Sequence, residues 1–125
     1  LFTHLGIKRP TWETDPLGNN FGAGGLFLTL SELHKFGLFY LNKGSWNEKQ
    51  ILSEKWIEES TAASDTDNYG YLFWRGEYNS FRADGKYSQI TMILLDKNAV
   101  VSLVAECRKG EELMRALYDL VCAKI

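Results

Sequence analysis

Residues 89–105 constrain this chain more than any other stretch. Gln89 to Leu95 carries apolar side chains at 90, 92 and 94 and again at 93 and 95. Successive strand residues point to opposite faces, so a strand apolar on both faces must be covered on both. Val100 to Ala105 repeats the pattern after the polar break Asp96-Lys97-Asn98. Upstream lie Asn68 to Trp74 and the run Ser80 to Gln89. With polar turns between them, residues 68–106 read as three strand-like segments in an antiparallel meander. Such a sheet needs helices on both sides, and the chain offers them before and after.

The first has a clear start. Thr29-Leu30-Ser31-Glu32 is a capping box, in which hydroxyl and carboxylate satisfy reciprocal orphan amides. Leu33, Phe36, Gly37, Tyr40 and Leu41 follow on one face. Gly37 costs up to ~1 kcal/mol of helix propensity, which predicts an element packed closely against it. Asn42-Lys43-Gly44 stops the helix. After a short turn at 45–50, Ser53 caps a second helix, with Glu54 in its first turn and Trp56 and Ile57 pointing inward. Ser60 to Asp67 reads as a loop. A last helix spans Glu111 to Lys124, with the stripe Leu113, Leu117, Leu120 and Val121. Residues 1–25 hold both prolines and five glycines, so they form turns rather than a regular element, with Trp12 and Phe21 as anchors. Gly22-Ala23-Gly24-Gly25 lacks the Lys-Ser/Thr pair of a phosphate-binding loop.

The 125 residues suffice for one domain. A formal net charge of −2, without a block of either sign, argues against a nucleic-acid partner. No apolar run reaches the ~18 residues of a membrane span, and no signal-peptide pattern opens the chain. Cys107 and Cys122 read as reduced, partly buried thiols, and the scattered histidines and cysteines predict no metal site. The opening at Leu1, without Met, reads as the middle of a longer chain.

Chemistry leaves few local traces. There is no Gly-x-Ser-x-Gly elbow, and no serine has lysine three residues on. His34 lies off the apolar stripe and reads as solvated. Glu58-Glu59 and Glu111-Glu112 point in different directions and read as solvated faces. Tyr40-Leu41-Asn42 matches a Tyr-x-Asn pattern of some serine hydrolases, but its position at a helix end gives Tyr40 to the core and Asn42 to the cap. The aromatics Tyr69, Tyr71, Phe73, Trp74, Tyr78 and Phe81 could fill the core alternately or form a sugar-stacking platform.

The order of these pieces resembles the C-terminal part of the serine β-lactamase and penicillin-binding-protein superfamily, especially its β-lactamase-related, esterase-like branch. The similar residues are Leu5-Gly6-Ile7, Trp12, Asp15-Pro16-Leu17-Gly18, Gly24-Gly25-Leu26, Leu28-Thr29, Leu33, Lys35-Phe36-Gly37 and Tyr40 to Gly44. Lys49 to Ser53, Trp56, Tyr69 to Trp74 and Ala83-Asp84-Gly85 through Gln89 complete the series. The resemblance implies an α/β (α+β) fold: a mainly antiparallel sheet with helices on both faces. Residues 1–67 would belong to the loop and helices of the helical region, and 68–125 would hold three strands and the terminal helix.

It also implies an activity for a longer parent, hydrolysis of a small ester, amide or peptide through an acyl-enzyme, with no cofactor. The nucleophilic serine and its lysine would lie upstream of Leu1. This segment would supply the strand lining the substrate cleft, its triplet being Ala83-Asp84-Gly85, with the Lys86 backbone amide as one oxyanion-hole donor. The triplet lacks the usual leading Lys or His. Gly85-Lys86-Tyr87-Ser88-Gln89 is similar to a Gly-x-x-Gly-Gln pattern of esterase-like relatives, with Ser88 in place of the second glycine. Ser88 and Gln89 are therefore expected beside the substrate. Family habit implies a bacterial protein and does not choose its compartment. The alternative is a non-catalytic module binding a carbohydrate or a partner. Self-association of the chain is a further expectation, because apolar surface would be left uncovered.

Overall fold

The computed structural model describes residues 1–22, 24–64 and 68–125. The Gly22–Gly25 tract at Ala23, the end of the expected 60–67 loop and the expected division at 67/68 lie outside the described residues.

Four strands, one more than the three expected, form the main sheet: β5 (Trp74–Gly76), β6 (Ser80–Gly85), β7 (Gln89–Leu94) and β8 (Ala99–Val104), antiparallel in the order β5-β6-β7-β8. Its first member differs from expectation. Tyr69 to Phe73 is a turn, with Leu72 at φ 69° and Gly70 N–H bonded to Phe73 O at 2.8 Å, so only Trp74 onward is extended. Two short hairpins lie outside this sheet: β1 (Thr11–Trp12) with β2 (Leu26–Phe27), and β3 (Ser45–Trp46) with β4 (Lys49–Gln50).

β7 is central and covered on both faces, as its double apolar pattern requires. Ile90, Met92 and Leu94 point to one side, where Cys122, Met114, Leu117 and Tyr118 meet them. Ile93 points to the other, into a core of Leu5, Ile7, Phe39, Tyr40, Ile57 and Phe81. Helix α1 (Leu30–Leu41) covers this second face, and α3 (Gly110–Leu120) with the short turn Cys122–Lys124 covers the first.

Helix α1 begins at the expected capping box: Thr29 Oγ1 accepts from Glu32 N–H, and Glu32 accepts from Thr29 N–H at 2.9 Å. Gly37 marks the expected close approach, since a Cβ there would lie 2.5 Å from Val100 Cγ1 and 2.6 Å from Thr91 Oγ1. Phe39, outside the expected stripe, is fully buried. The N-terminal segment (Leu5, Ile7) and Ile57 of α2 (Glu54–Thr61) share its core, so α1 buries more than its sheet-facing stripe.

Ser53 caps α2 by accepting from Trp56 N–H at 3.1 Å, and Ile57 is buried. Trp56 is exposed, contrary to expectation, with its ring 6.0 Å from that of Tyr71. Adjacent helix residues diverge by about 100°, and this short helix buries Ile57 instead. Leu120 is also exposed. The inward row of α3 is Met114, Leu117 and Tyr118, followed by Cys122 just beyond the helix, and Leu120 is not part of it. Trp12 does pin its loop, its indole N–H reaching Phe21 O at 2.9 Å and Gly24 O at 3.2 Å. Phe21 contributes that carbonyl while its own ring stays exposed.

Candidate functional site

The expected cleft strand is β6, and its triplet straddles the sheet. Ala83 pairs with Thr91 and packs against the α1-side core. Asp84 points to the opposite face, where its carboxylate accepts from Arg82 Nε at 3.0 Å. Gly85 ends the strand opposite Gln89. A Cβ there would sit 3.2 Å from Gln89 Cβ, so glycine lets the hairpin close tightly.

Lys86, Tyr87 and Ser88 form the hairpin tip. Tyr87 has φ 61° and Ser88 φ 72°. Left-handed backbone costs an L-residue about 1–2 kcal/mol, and glycine is spared it. Position 88 is where the esterase-like pattern has its second glycine, and the positive φ is a physical reason for one. Serine adopts the same turn at a cost. Its N–H closes the turn on Gly85 O at 3.2 Å, a bond that leaves the Lys86 amide uninvolved.

The tip is tied to the segment following β8. Cys107 N–H donates to Tyr87 O at 3.1 Å, the buried Ser88 hydroxyl donates to Cys107 O at 3.4 Å, and Gln89 Nε2 donates to Ala105 O. The side chains of Ser88 and Gln89 thus hold backbone, and the exposed groups at the tip are Lys86 and Tyr87. A concavity of about 380 Å³ opens here, lined by Asp84, Gly85, Tyr87, Ser88, Cys107, Arg108 and Gly110. The Lys86 ammonium lies 4.9 Å from the Tyr87 ring centroid, and the Arg108 guanidinium 5.7 Å from the same centroid. Arg108 could not be found from sequence, because nothing local marks a residue beyond β8 as a neighbour of the β6–β7 turn.

His34 differs from its solvated reading. It is half-buried, and its Nδ1 is 3.0 Å from Ser102 Oγ, which lies 2.9 Å from Thr91 Oγ1. The three groups satisfy one another where α1 crosses β7 and β8. Position 34 lies one turn before Gly37 on the same side of α1, and that periodicity could have located it against the sheet.

Tyr40 is structural. It is buried among Phe36, Phe39, Phe73 and Phe81, and burial pushes its phenol above the usual tyrosine range, against a smaller opposing hydrogen bond with Ser60. Phe73 and Phe81 are core residues as well. Tyr69 and Trp74 tilt 55° from each other at 4.5 Å and present no common plane for a sugar. Among the described residues no group of three or more His, Cys, Asp or Glu side chains could hold a metal ion.

No protein-family model matches the chain, and no curated protein matches it. Among solved structures, a putative 6-aminohexanoate-dimer hydrolase from Bacillus anthracis matches 86% of this chain with a TM-score of 0.73 and 21% identity. The match occupies 31% of that protein, so the chain spans about a third of its length. At this identity the likeness is one of fold, and the fold is the mixed α/β, β-lactamase-like one that the order of motifs implied.

Proposed function

We propose that the chain is the substrate-side, C-terminal segment of a serine hydrolase of the β-lactamase and penicillin-binding-protein superfamily, of its esterase-like branch. In this reading a serine in an upstream portion attacks an ester, amide or peptide carbonyl. The leaving group departs with a proton, and water then releases the acyl group from the serine. The Lys86 backbone amide donates a hydrogen bond to the oxyanion that forms during each attack, and Gly85 lets substrate approach the strand. The single observation that carries the reading is the fit of this fold onto part of a hydrolase. The β6–β7 turn adds support, because it keeps the left-handed geometry that the Gly-x-x-Gly-Gln pattern requires even with serine at 88.

The test is covalent labelling. The 125-residue chain and the product of the complete gene are incubated with a fluorophosphonate and a penicillin-type acylating agent, then weighed intact. The expected result is one adduct on the complete product and none on the short chain. An adduct on the short chain would place the nucleophile among these residues and overturn the division of labour. No adduct on either would move the non-catalytic module ahead.

A further inference from the structure

The main sheet has two edges, and they are unlike. β5 is three residues long, carries Arg75, and is bordered by the chain before it through the Tyr69–Trp74 bridge and the Arg75 N–H bond to Asn68 O at 2.7 Å. β8 is six residues long and, among the described residues, pairs with β7 alone. Helix α1 covers one face of β8 and the α3 side the other, yet none of its six residues is buried. The exposure therefore lies along the free side of the strand. A groove of about 700 Å³ follows that side. Its lining comes from both faces, with Leu30, His34 and Val100 on one and Val101, Val121 and Ile125 on the other.

Sheets that leave an edge bare blunt it with lysine, proline, a bulge or a very short strand. β8 uses none of these. From Ala99 to Ala105 the sequence has no charge, proline or glycine, and Glu106 is the first charged residue beyond. The polar side chains of the groove already satisfy one another, since His34 Nδ1 lies 3.0 Å from Ser102 Oγ, which lies 2.9 Å from Thr91 Oγ1. What remains to be matched is unpaired backbone flanked by apolar side chains. A neutral strand that is apolar on both faces fits it.

A second β8 is such a strand. Having no charge, it can face itself antiparallel across a two-fold axis without repulsion between like residues. With that axis perpendicular to the sheet, each face stays on its own side and α1 meets its own copy. Gly37 seats α1 against Thr91 of β7 and Val100 of β8. The two α1 axes would then lie about two strand spacings, roughly 10 Å, apart, an ordinary distance for packed helices. We propose that β8 is a dimerisation edge, along which two copies of this chain join their sheets and cover the exposed Leu30, Val104, Val121 and Ile125. The assembly closes at two, because only the short β5 edges are left. The inference rests on this chain's own sheet and not on the hydrolase reading.

The experiment is sedimentation equilibrium of the 125-residue chain over a dilution series, with amide hydrogen exchange on the same samples. Wild type should weigh twice the monomer. Alternate amides of residues 99–104, those pointing away from β7, should lose protection when it is diluted to monomer. L30E and V104K change exposed positions, and glutamate suits the first turn of α1. Each should bring the mass down to monomer where wild type is dimeric. L17E removes the most exposed leucine outside the groove and should leave the dimer intact. A wild type that stays monomeric, open-ended association, or a dimer broken by L17E but not by L30E and V104K would overturn the proposal. So would protected edge amides in a monomeric product of the complete gene, which would give the edge to another part of the same polypeptide. Labelling of a serine bears on none of these outcomes, so either reading can fail alone.

Discussion

Replacing Gly37 by alanine tests the packing of α1 on the sheet. The added methyl would meet Val100 Cγ1 at 2.5 Å and Thr91 Oγ1 at 2.6 Å, where carbon atoms normally rest about 3.5–4.0 Å apart. Neither neighbour can turn away cheaply. Val100 is β-branched and sits in a strand, so its χ1 is restricted. Thr91 is fully buried, and its hydroxyl bonds Ser102, which bonds His34. Overpacking costs about 1–3 kcal/mol, and two simultaneous clashes place this site at the upper end. Displacing Thr91 adds about 1 kcal/mol for a lost hydrogen bond. Alanine returns about 1 kcal/mol of helix propensity. The net expectation is a loss of about 2–3 kcal/mol, or roughly 8–12 °C in Tm for a domain of this size. Urea unfolding followed by tryptophan fluorescence would read it as a lower midpoint with unchanged slope. G110A is the control: no atom lies within 4 Å of its added Cβ, and it should be neutral or mildly stabilising. V100A in the G37A background should recover part of the loss, a coupling of about 1 kcal/mol. A G37A midpoint at or above wild type would refute the close approach of α1 to β7 and β8.

Further outcomes follow from single sites. At position 88, S88G should be more stable than S88A by about 1 kcal/mol, because only alanine keeps a Cβ in the left-handed region; equal midpoints would remove the strain argument. Glu32 is held below the usual glutamate pKa by the Thr29 backbone and side-chain hydrogen bonds. A depressed folded value means that its stabilisation is full above the ordinary glutamate pKa and is lost as pH falls through the folded one. E32Q should therefore flatten that acidic part of the stability curve, and an unchanged acid slope in thermal melts would contradict it. Cys122 is fully buried, and burial pushes its thiol pKa up, whereas Cys107 is half-buried. A disulfide reagent should modify Cys107 first and Cys122 only at the rate of unfolding, and equal rates by peptide mass mapping would count against the packing of Cys122 under β7.

Much of the architecture was legible because it rests on strict periodicities. The double apolar face of residues 90–95 demanded a central, twice-covered strand, and β7 is one. The Thr29–Glu32 box marked the start of α1 because its chemistry is local. Legibility failed where a third element decided the outcome. Phe39 belongs to no sheet-facing stripe, yet Leu5 and Ile7 come from far upstream to share its core. Trp56 and Ile57 looked equally apolar, and only the position of the neighbouring elements chose Ile57. Residues 69–73 have strand-forming side chains, but Leu72 at positive φ bends them into a turn.

The candidate site divides in the same way. Gly85 to Gln89 was singled out by its similarity to the Gly-x-x-Gly-Gln pattern, and the structure has a tight strand reversal there. In sequence, serine at 88 is a departure from that pattern. In the structure its φ of 72° keeps the turn, and the hydroxyl that serine brings bonds Cys107 O and helps hold the segment carrying Arg108. Glycine would make the turn with less strain but without that bond. Serine at 88 therefore links the shape of the turn with the position of a cation twenty residues further along the chain. If the link holds, S88G should be more stable than S88A and still loosen the segment that carries Arg108, read as faster amide hydrogen exchange at Cys107 than in wild type. Unchanged exchange at Cys107 in S88G would show that the Cys107 amide bond to Tyr87 alone suffices to hold this segment.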